Sequence, residues 1–344
     1  MHKKFRTLVK TALVLVYVVI IAGAVVRMTG SGMGCPDWPK CFGYYIPPTE
    51  ASELEFKPNF EYKKGIVIIQ DEALLVAKNK FSSQETLDPN NWDTYTKHDY
   101  AVYNPVHTWV EYINRLSGAL SGIPILIFTI MSFWFWRKNI WIPILSVIIL
   151  FSMGFQAWLG KTVVDSNLSP YKITVHMVMA LVIVAIILFL IYFTNPKRKP
   201  FKYNPFFYKL LVFSSALTLI QIVLGTQIRQ FVDEQIKALG YGTNTMWLND
   251  APISFYIHRS FSILVLAVNL FLLYLNKKHH LKHSKLNWVM VLLILEIITG
   301  ILMANFNFPF GTQSLHIVLA SILFGYQFYL ILEASKPKKA IQTL

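Results

Sequence analysis

Eight apolar segments, most of them close to 20 residues long, run through this 344-residue chain. A helix needs roughly 20 consecutive apolar residues to cross the hydrocarbon core of a bilayer. The segments lie at 8–27, 105–136, 140–160, 171–194, 208–228, 253–275, 287–305 and 314–333. Because 54% of the residues are hydrophobic and only 15% are charged, the composition excludes a soluble enzyme. It predicts an all-α integral membrane protein with eight transmembrane helices.

Basic residues are distributed unevenly among the connections between these segments. The side of the membrane that receives both ends of the chain and the second, fourth and sixth connections has 18 of the 32 Lys and Arg residues, including Lys10 and Lys209 at the margins of their segments. The long connection 28–106 has 7 Lys, no Arg and 11 Asp or Glu. Since Lys and Arg accumulate in cytoplasmic loops, both termini are predicted to be cytoplasmic and loop 28–106 external. The net charge of +14 then reflects topology and attraction to anionic lipid. Nucleic-acid binding is not expected, because the sequence shows no basic soluble domain.

The two halves of the chain repeat one pattern. Tyr-Ile-Asn-Arg at 112–115 corresponds to Tyr-Ile-His-Arg at 256–259. A histidine follows 62 residues after the asparagine, at His176, and another follows 58 residues after the histidine, at His316. The repeat predicts two pseudo-symmetric four-helix bundles. Their ranges are 1–200, which includes the external loop 28–106, and 201–344.

Cys35 and Cys41 are the only two cysteines, and both lie in the predicted external loop. An oxidising location outside the cytoplasm favours a disulfide. A redox-active dithiol remains an alternative. A metal-binding pair is disfavoured, because no further Cys and no nearby His completes a tetrahedral site.

His176, His258 and His316 lie 17 residues before Phe193, Leu275 and Glu333, at or next to the cytoplasmic ends of their segments, so they share one depth toward the outer leaflet. A titratable side chain in a membrane helix is costly and normally faces a bundle interior, a cavity or a cofactor. For any single histidine, a hydrogen bond between helices is an equally good explanation. Two histidines at matched depth in one half favour a pair of axial heme ligands, and we predict this role for His258 with His316. Arg115 and Arg259 are expected to pair with heme propionates or nearby carboxylates.

The first half differs, because Asn114 takes the position opposite His176. His107, Glu111 and Asn114 share one face of the second helix. His107 lies about 10 Å along the axis from Asn114, which suits a surface role or a propionate contact better than an iron ligand. Glu111 is interpreted either as the structural partner of an arginine or as an acid–base group.

These features together resemble the heme A synthases, and the likeness covers nearly the whole chain. It rests on the eight helices in two halves, on the histidines of the fourth, sixth and eighth helices, and on two motifs. The motifs are Thr-Gly-Ser-Gly-Met-Gly-Cys-Pro-Asp-Trp-Pro-Lys-Cys at 29–41 and Glu-Tyr-Ile-Asn-Arg at 111–115. Two departures from the family pattern stand out. The histidine that the family has on the second helix is Asn114 here, and the loop between the fifth and sixth helices of the chain has no cysteine pair.

The resemblance implies a function for each half. His258 and His316 would hold heme b, and the first half would bind heme O, whose C8 methyl is oxidised to the formyl group of heme A. Glu111 would be needed for turnover, and Cys35 and Cys41 would take part in activity or heme transfer. With Asn114 in place of a histidine, His176 is the one evident ligand in the substrate site. Its iron would be five-coordinate or hold water, although a lost or altered activity is the alternative.

The expected reaction is two successive oxidations of the methyl carbon, with Glu111 handling a proton or a water molecule and heme b passing electrons to an unidentified acceptor. Heme O synthase and the cytochrome oxidase assembly machinery are the expected partners, and a homo-oligomer is left open. The short basic start, unlike a transit peptide, favours a bacterial plasma membrane. A diheme b-type electron-transfer protein and a non-catalytic heme-handling assembly factor are the two other functions considered.

Overall fold

The computed structural model describes residues 2–95, 102–196, 198 and 201–336. This part of the chain contains eight helices that are long and apolar enough to cross a membrane, which confirms the predicted class. They are α1 His2–Met28, α2 Pro105–Ser132, α3 Trp141–Asp165, α4 Pro170–Phe193, α5 Pro205–Leu239, α6 Ile253–Lys278, α7 Lys285–Asn305 and α8 Thr312–Ala334.

Helix α5 extends eleven residues beyond the predicted end of its apolar segment at 228. Its 35 residues correspond to a length of about 52 Å. The extension is polar and is supported by side chains one turn apart: Arg229 pairs with Asp233 at 2.6 Å, and Gln230 donates to Glu234 at 2.9 Å. Such pairs stabilise a helix on its exposed surface. Hydropathy therefore located the apolar core of α5 but not its end.

The loop between α1 and α2 contains β-structure, which the all-α prediction did not include. Its strands are β1 Glu61–Tyr62, β2 Val67–Gln70, β3 Ala73–Ala77, β4 Phe81–Ser82 and β5 Trp92–Thr94. They form two antiparallel sheets, one of β1 with β4 and one in the order β2-β3-β5. Asp71 and Glu72 join β2 to β3 with φ angles of 50° and 62°, as a two-residue hairpin turn requires.

The chain folds into two compact units. One consists of the described parts of Met1–Ile20, Ser121–Gly154 and Met177–Leu344. Within it, one apolar core is drawn mainly from α1 to α4 and another from α5 to α8. The second unit is formed by the described parts of Ile21–Leu120 and Phe155–His176, and it contains both small sheets. The division into functional halves at residue 200 stays a prediction.

His283 lies in the connection between α6 and α7 and is 1% exposed. Its ring stacks on Phe201 and Phe207, with centroid distances of 4.4 and 5.2 Å. The backbone N–H of His283 donates to Asn276 Oδ1 at 3.0 Å. Burial, helped by the nearby Lys285 ammonium, lowers the pKa of His283 to about 4. A neutral imidazole therefore packs in this connection at pH 7.

Acidification from pH 7 to pH 5 is expected to lower the melting temperature of the protein in detergent. The unfolded histidine, with a pKa of about 6.5, takes up a proton that the folded side chain does not accept. The stabilising contribution is thus complete above about pH 6.5 and is lost as the pH falls toward the folded pKa. His283→Phe keeps the ring stacking without the titration, so its melting temperature should fall less than that of the wild type. Equal falls would contradict this account.

Candidate functional site

His258 on α6 and His316 on α8 face each other, with ring centroids 6.4 Å apart and ring planes inclined by 68°. A metal–imidazole bond is about 2 Å long, so two such bonds and the inner halves of both rings fill this separation. Among the described residues, no group of three or more His, Cys, Asp or Glu is placed to hold a metal ion. The pair therefore suits a macrocycle that brings its own equatorial nitrogens, as heme does.

The Nδ1 atom of His316 is held by two neighbours on α7. Thr299 Oγ1 lies 2.8 Å from it, and Glu296 Oε2 lies 3.1 Å from it. The threonine hydroxyl also lies 3.0 Å from the carbonyl oxygens of Leu295 and Glu296, so it has an acceptor for its own proton. These contacts favour the tautomer protonated at Nδ1, which leaves the Nε2 lone pair for a metal.

The four repeat positions are Asn114, His176, His258 and His316. At each of them, a glycine of the preceding helix faces the side chain. A Cβ atom would stand 3.3 Å from Cε1 of His176 if built on Gly160, 3.3 Å from Cε1 of His258 on Gly225, 3.8 Å from Cε1 of His316 on Gly300, and 3.8 Å from Oδ1 of Asn114 on Gly23. Glycine in a helix interior costs about 1 kcal/mol relative to alanine. The two distances of 3.3 Å are shorter than most Cβ contacts, which indicates that the space beside His176 and His258 is needed, whereas 3.8 Å is an ordinary van der Waals contact.

Three of these helices, α3, α5 and α7, carry a second repeated position with Gln or Glu four residues before the glycine. Gln156 donates from Nε2 to the backbone oxygen of His176, and Gln221 donates to that of His258, both at 3.0 Å. On α7 this position is Glu296. The sequence contains the signal, a Gln or Glu followed four residues later by Gly, but without the structure its relation to the histidines was missed.

Three polar atoms at the repeat positions are buried without a hydrogen-bond partner among the described residues: His176 Nδ1, His258 Nδ1 and Asn114 Oδ1. Gln156 Nε2 lies 3.4 Å from His176 Nε2, a weak contact. Buried polar atoms are nearly always hydrogen-bonded in proteins. Unpartnered atoms at three of the four repeat positions fit side chains arranged around a bound group.

Glu111 is 3% exposed and connects α2 to the loop after α1. Its Oε2 accepts the backbone N–H of Cys35 at 2.9 Å, and its Oε1 accepts from Arg115 Nη2. Arg115 also donates to the backbone oxygens of Asp37 at 2.6 Å, Lys40 at 2.8 Å and Cys35 at 3.2 Å. Of the two partners predicted for Arg115, the structure shows the local carboxylate.

The predicted disulfide between Cys35 and Cys41 is present. Beside it, Gly34 lies so close to α2 that a Cβ would clash with the His107 carbonyl oxygen. Thr108 Oγ1 donates to the Gly34 oxygen at 2.8 Å. The backbone of His107 thus packs against the loop that carries the disulfide, and His107 is partly buried.

Two further charged residues, Asp37 in the loop after α1 and Arg259 on α6, differ in exposure. Burial raises the pKa of the Asp37 carboxyl, although the Gly43 N–H, which donates to it at 2.9 Å, opposes the shift. Arg259, in contrast, is exposed on α6. Among the described residues no carboxylate lies within ion-pair distance of Arg259, so a carboxylate partner predicted for it is not found in this part of the chain.

Fold and site together define a multi-pass membrane protein with histidines arranged at repeated positions on its helices. Residues 6–81 and 86–328 match the model of the cytochrome oxidase assembly protein family, and the chain belongs to this family. It is similar to proteins named heme A synthase from Flavobacterium johnsoniae (23% identical, covering 94% of this chain and 95% of that protein), Bartonella tribocorum (24%, 94% and 90%) and Ehrlichia canis (25%, 92% and 89%). These matches confirm the resemblance to the heme A synthases.

Proposed function

We propose that this protein is a heme A synthase, an oxidoreductase that converts the C8 methyl of heme O to a formyl group. The observation that carries the proposal is the contrast between the two sets of repeat positions. One set holds two facing histidines, His258 and His316, with centroids 6.4 Å apart. The other set holds His176 and Asn114. A doubly ligated heme suits a permanent cofactor, whereas a singly ligated one suits a substrate that must enter, react and leave.

His258 and His316 would hold heme b, which supplies one-electron transfer when it is bound. The protein's own contribution is geometric. Gly225 and Gly300 leave room beside the two imidazoles, and the neighbours of His316 on α7 fix its tautomer. The bound heme would therefore meet one ligand, His316, whose ring is already oriented by hydrogen bonds.

His176 would bind the iron of heme O, and Asn114 would leave the opposite face open or hold a water molecule. Each of the two oxidations replaces a C–H bond of the methyl carbon with a C–O bond to oxygen from water and releases two electrons and two protons. The first gives an alcohol and the second a hydrated aldehyde that loses water, and the electrons pass to the separate acceptor. Glu111 is three residues before Asn114 on the same helix, so it lies on the same side of α2. Its carboxylate is oriented by Cys35 N–H and Arg115, and we assign it the transfer of a proton during these oxidations.

The uneven distribution of Lys and Arg supports a topology with both termini in the cytoplasm. The loop that carries Cys35 and Cys41 would then lie outside, where a disulfide is stable. In this arrangement a heme O synthase supplies the substrate within a bacterial plasma membrane. A separate acceptor takes the electrons, and the product passes to cytochrome oxidase assembly.

The test is chromatographic analysis of hemes extracted from cells that express this chain together with a heme O synthase. We expect heme A or its hydroxylated precursor with the wild type and with His107→Ala, and neither product with His176→Ala. Unchanged heme O in all strains, with heme bound to the purified protein, would instead indicate an electron carrier or a heme-handling factor.

Gly160 and Gly154 on α3 provide a matched pair for the space beside His176. A Cβ on Gly160 would press on the His176 ring at 3.3 Å, whereas nothing lies within 4 Å of a Cβ on Gly154. Gly160→Ala should reduce heme A formation several-fold, because small displacements of a binding group are costly in catalysis. Gly154→Ala should leave turnover unchanged and raise stability by up to about 1 kcal/mol. Equal turnover of the two variants would show that the space is not needed.

A further inference from the structure

Glu296 is a carboxylic acid in the middle of the membrane helix α7, and its side chain is only 13% exposed. Ionisable residues inside membrane helices are costly and usually serve a function. The reaction proposed above uses Glu111 and assigns no role to Glu296. At the equivalent positions of α3 and α5 the chain has Gln156 and Gln221, so an amide is compatible with this place in the repeat.

The chemical difference between amide and carboxylate matters at this position. Gln156 and Gln221 donate hydrogen bonds to backbone oxygens of the next helix. A carboxylate accepts instead, and Glu296 Oε2 lies 3.1 Å from Nδ1 of His316. By contrast, His258 Nδ1 has no hydrogen-bond partner among the described residues. The two facing histidines therefore differ in the partners of Nδ1, the ring nitrogen that would not bind the iron.

We propose that Glu296 is a positioning residue that makes His316 a stronger electron donor to the iron than His258. Glu296 would thereby lower the reduction potential of the heme b. A histidine that donates its second N–H to a carboxylate becomes a more basic metal ligand. A more basic ligand stabilises ferric iron over ferrous iron, and hydrogen bonding around the axial ligands is one of the means by which proteins tune heme potentials.

This inference rests on the proposed heme b site. If it holds, the site is tuned asymmetrically: His316 is anchored by Glu296 and Thr299, whereas His258 is anchored through its backbone oxygen by Gln221. A low potential would favour passage of electrons from the heme to the acceptor. The acceptor is therefore an electron carrier with a higher reduction potential than this heme.

The experiment is a spectroscopic redox titration of the purified, heme-loaded protein in detergent, which does not depend on turnover. Glu296→Gln restores the amide found at the other two repeat positions. We expect it to retain heme and to increase the equilibrium constant for heme reduction at least tenfold, a potential rise of at least about 59 mV for one electron. Thr299→Val is the matched control, because it removes a contact to the same Nδ1 while leaving the Glu296 carboxyl group in place, and its shift should be smaller.

The outcomes are separable. Wild-type protein that binds no heme would overturn the proposed function itself. Heme that is retained in Glu296→Gln with an unchanged or lower potential would overturn only the role of Glu296. Should Glu296→Gln lose heme, the ferric electron paramagnetic resonance spectrum of the wild type decides: a signature of two equivalent neutral imidazoles would overturn the inference, and one of a strong-donor imidazole would support it.

Discussion

Replacing Glu111 with Gln is expected to reduce heme A formation by at least about a hundredfold while leaving the heme b in place. Loss of a positioned acid–base group typically costs a factor of 10² to 10⁴ in rate. The carboxylate receives hydrogen bonds from two donors, Cys35 N–H and Arg115 Nη2. A glutamine can accept only one of them at its oxygen, and its NH₂ group faces the other. The measurement is heme A formed per unit of purified protein.

Thr108→Val separates the proton-transfer role of Glu111 from its role in holding the loop. Thr108 is buried one turn before Glu111 and ties α2 to the same loop through the Gly34 oxygen. The variant removes this bond and leaves the carboxylate intact, so turnover should fall far less than in Glu111→Gln. If both variants lose activity equally, Glu111 acts by anchoring the loop. If Glu111→Gln still forms heme A, the catalytic role proposed for Glu111 is wrong.

Replacing either His258 or His316 with Ala is expected to lower the heme b content of the purified protein at least about tenfold. Each variant removes one of the two proposed iron ligands, and even changes to residues that only support a metal ligand commonly cost 10-fold to 100-fold in affinity. His316→Ala in addition leaves Glu296 and Thr299 without their imidazole partner. Heme content is measured as the pyridine hemochrome of the purified protein, relative to protein mass.

His176→Ala is the control for this second experiment, since it removes a histidine of the same depth from the other set of repeat positions. Its heme b content should equal that of the wild type, although it makes no heme A. Loss of heme b in His176→Ala would contradict the assignment of the two hemes to different sites. Full heme b in His258→Ala would remove this histidine from the ligand set.

The arrangement of His258 and His316 could be predicted because it depends on regular structure. Helices of known rise place residues at calculable depths, and the internal repeat pairs the helices that carry them. The structure accordingly brings the two rings to 6.4 Å. The same reasoning located the α-helices by their apolar segments, and it ended α5 too early only because that helix continues as a polar one.

The surroundings of Glu111 could be predicted only in part. Pairing with an arginine was one of the two interpretations of Glu111, and the structure shows it with Arg115, at the i+4 position on the helix. The bond to Cys35 joins residues 76 positions apart and depends on an irregular loop, whose backbone path no periodicity describes. The small sheets of the same loop were missed for a similar reason: their strands have two to five residues, too few for an alternating pattern to be recognised.

The glycines beside the four repeat positions imply a division of labour among the helices. The odd-numbered helices α1, α3, α5 and α7 contribute room, and the even-numbered helices α2, α4, α6 and α8 contribute the side chain that fills it. A change of ligand, such as asparagine for histidine at Asn114, then alters the chemistry of one site without repacking its neighbour helix. Such a scaffold can turn a fixed cofactor site into an exchangeable substrate site by a single substitution.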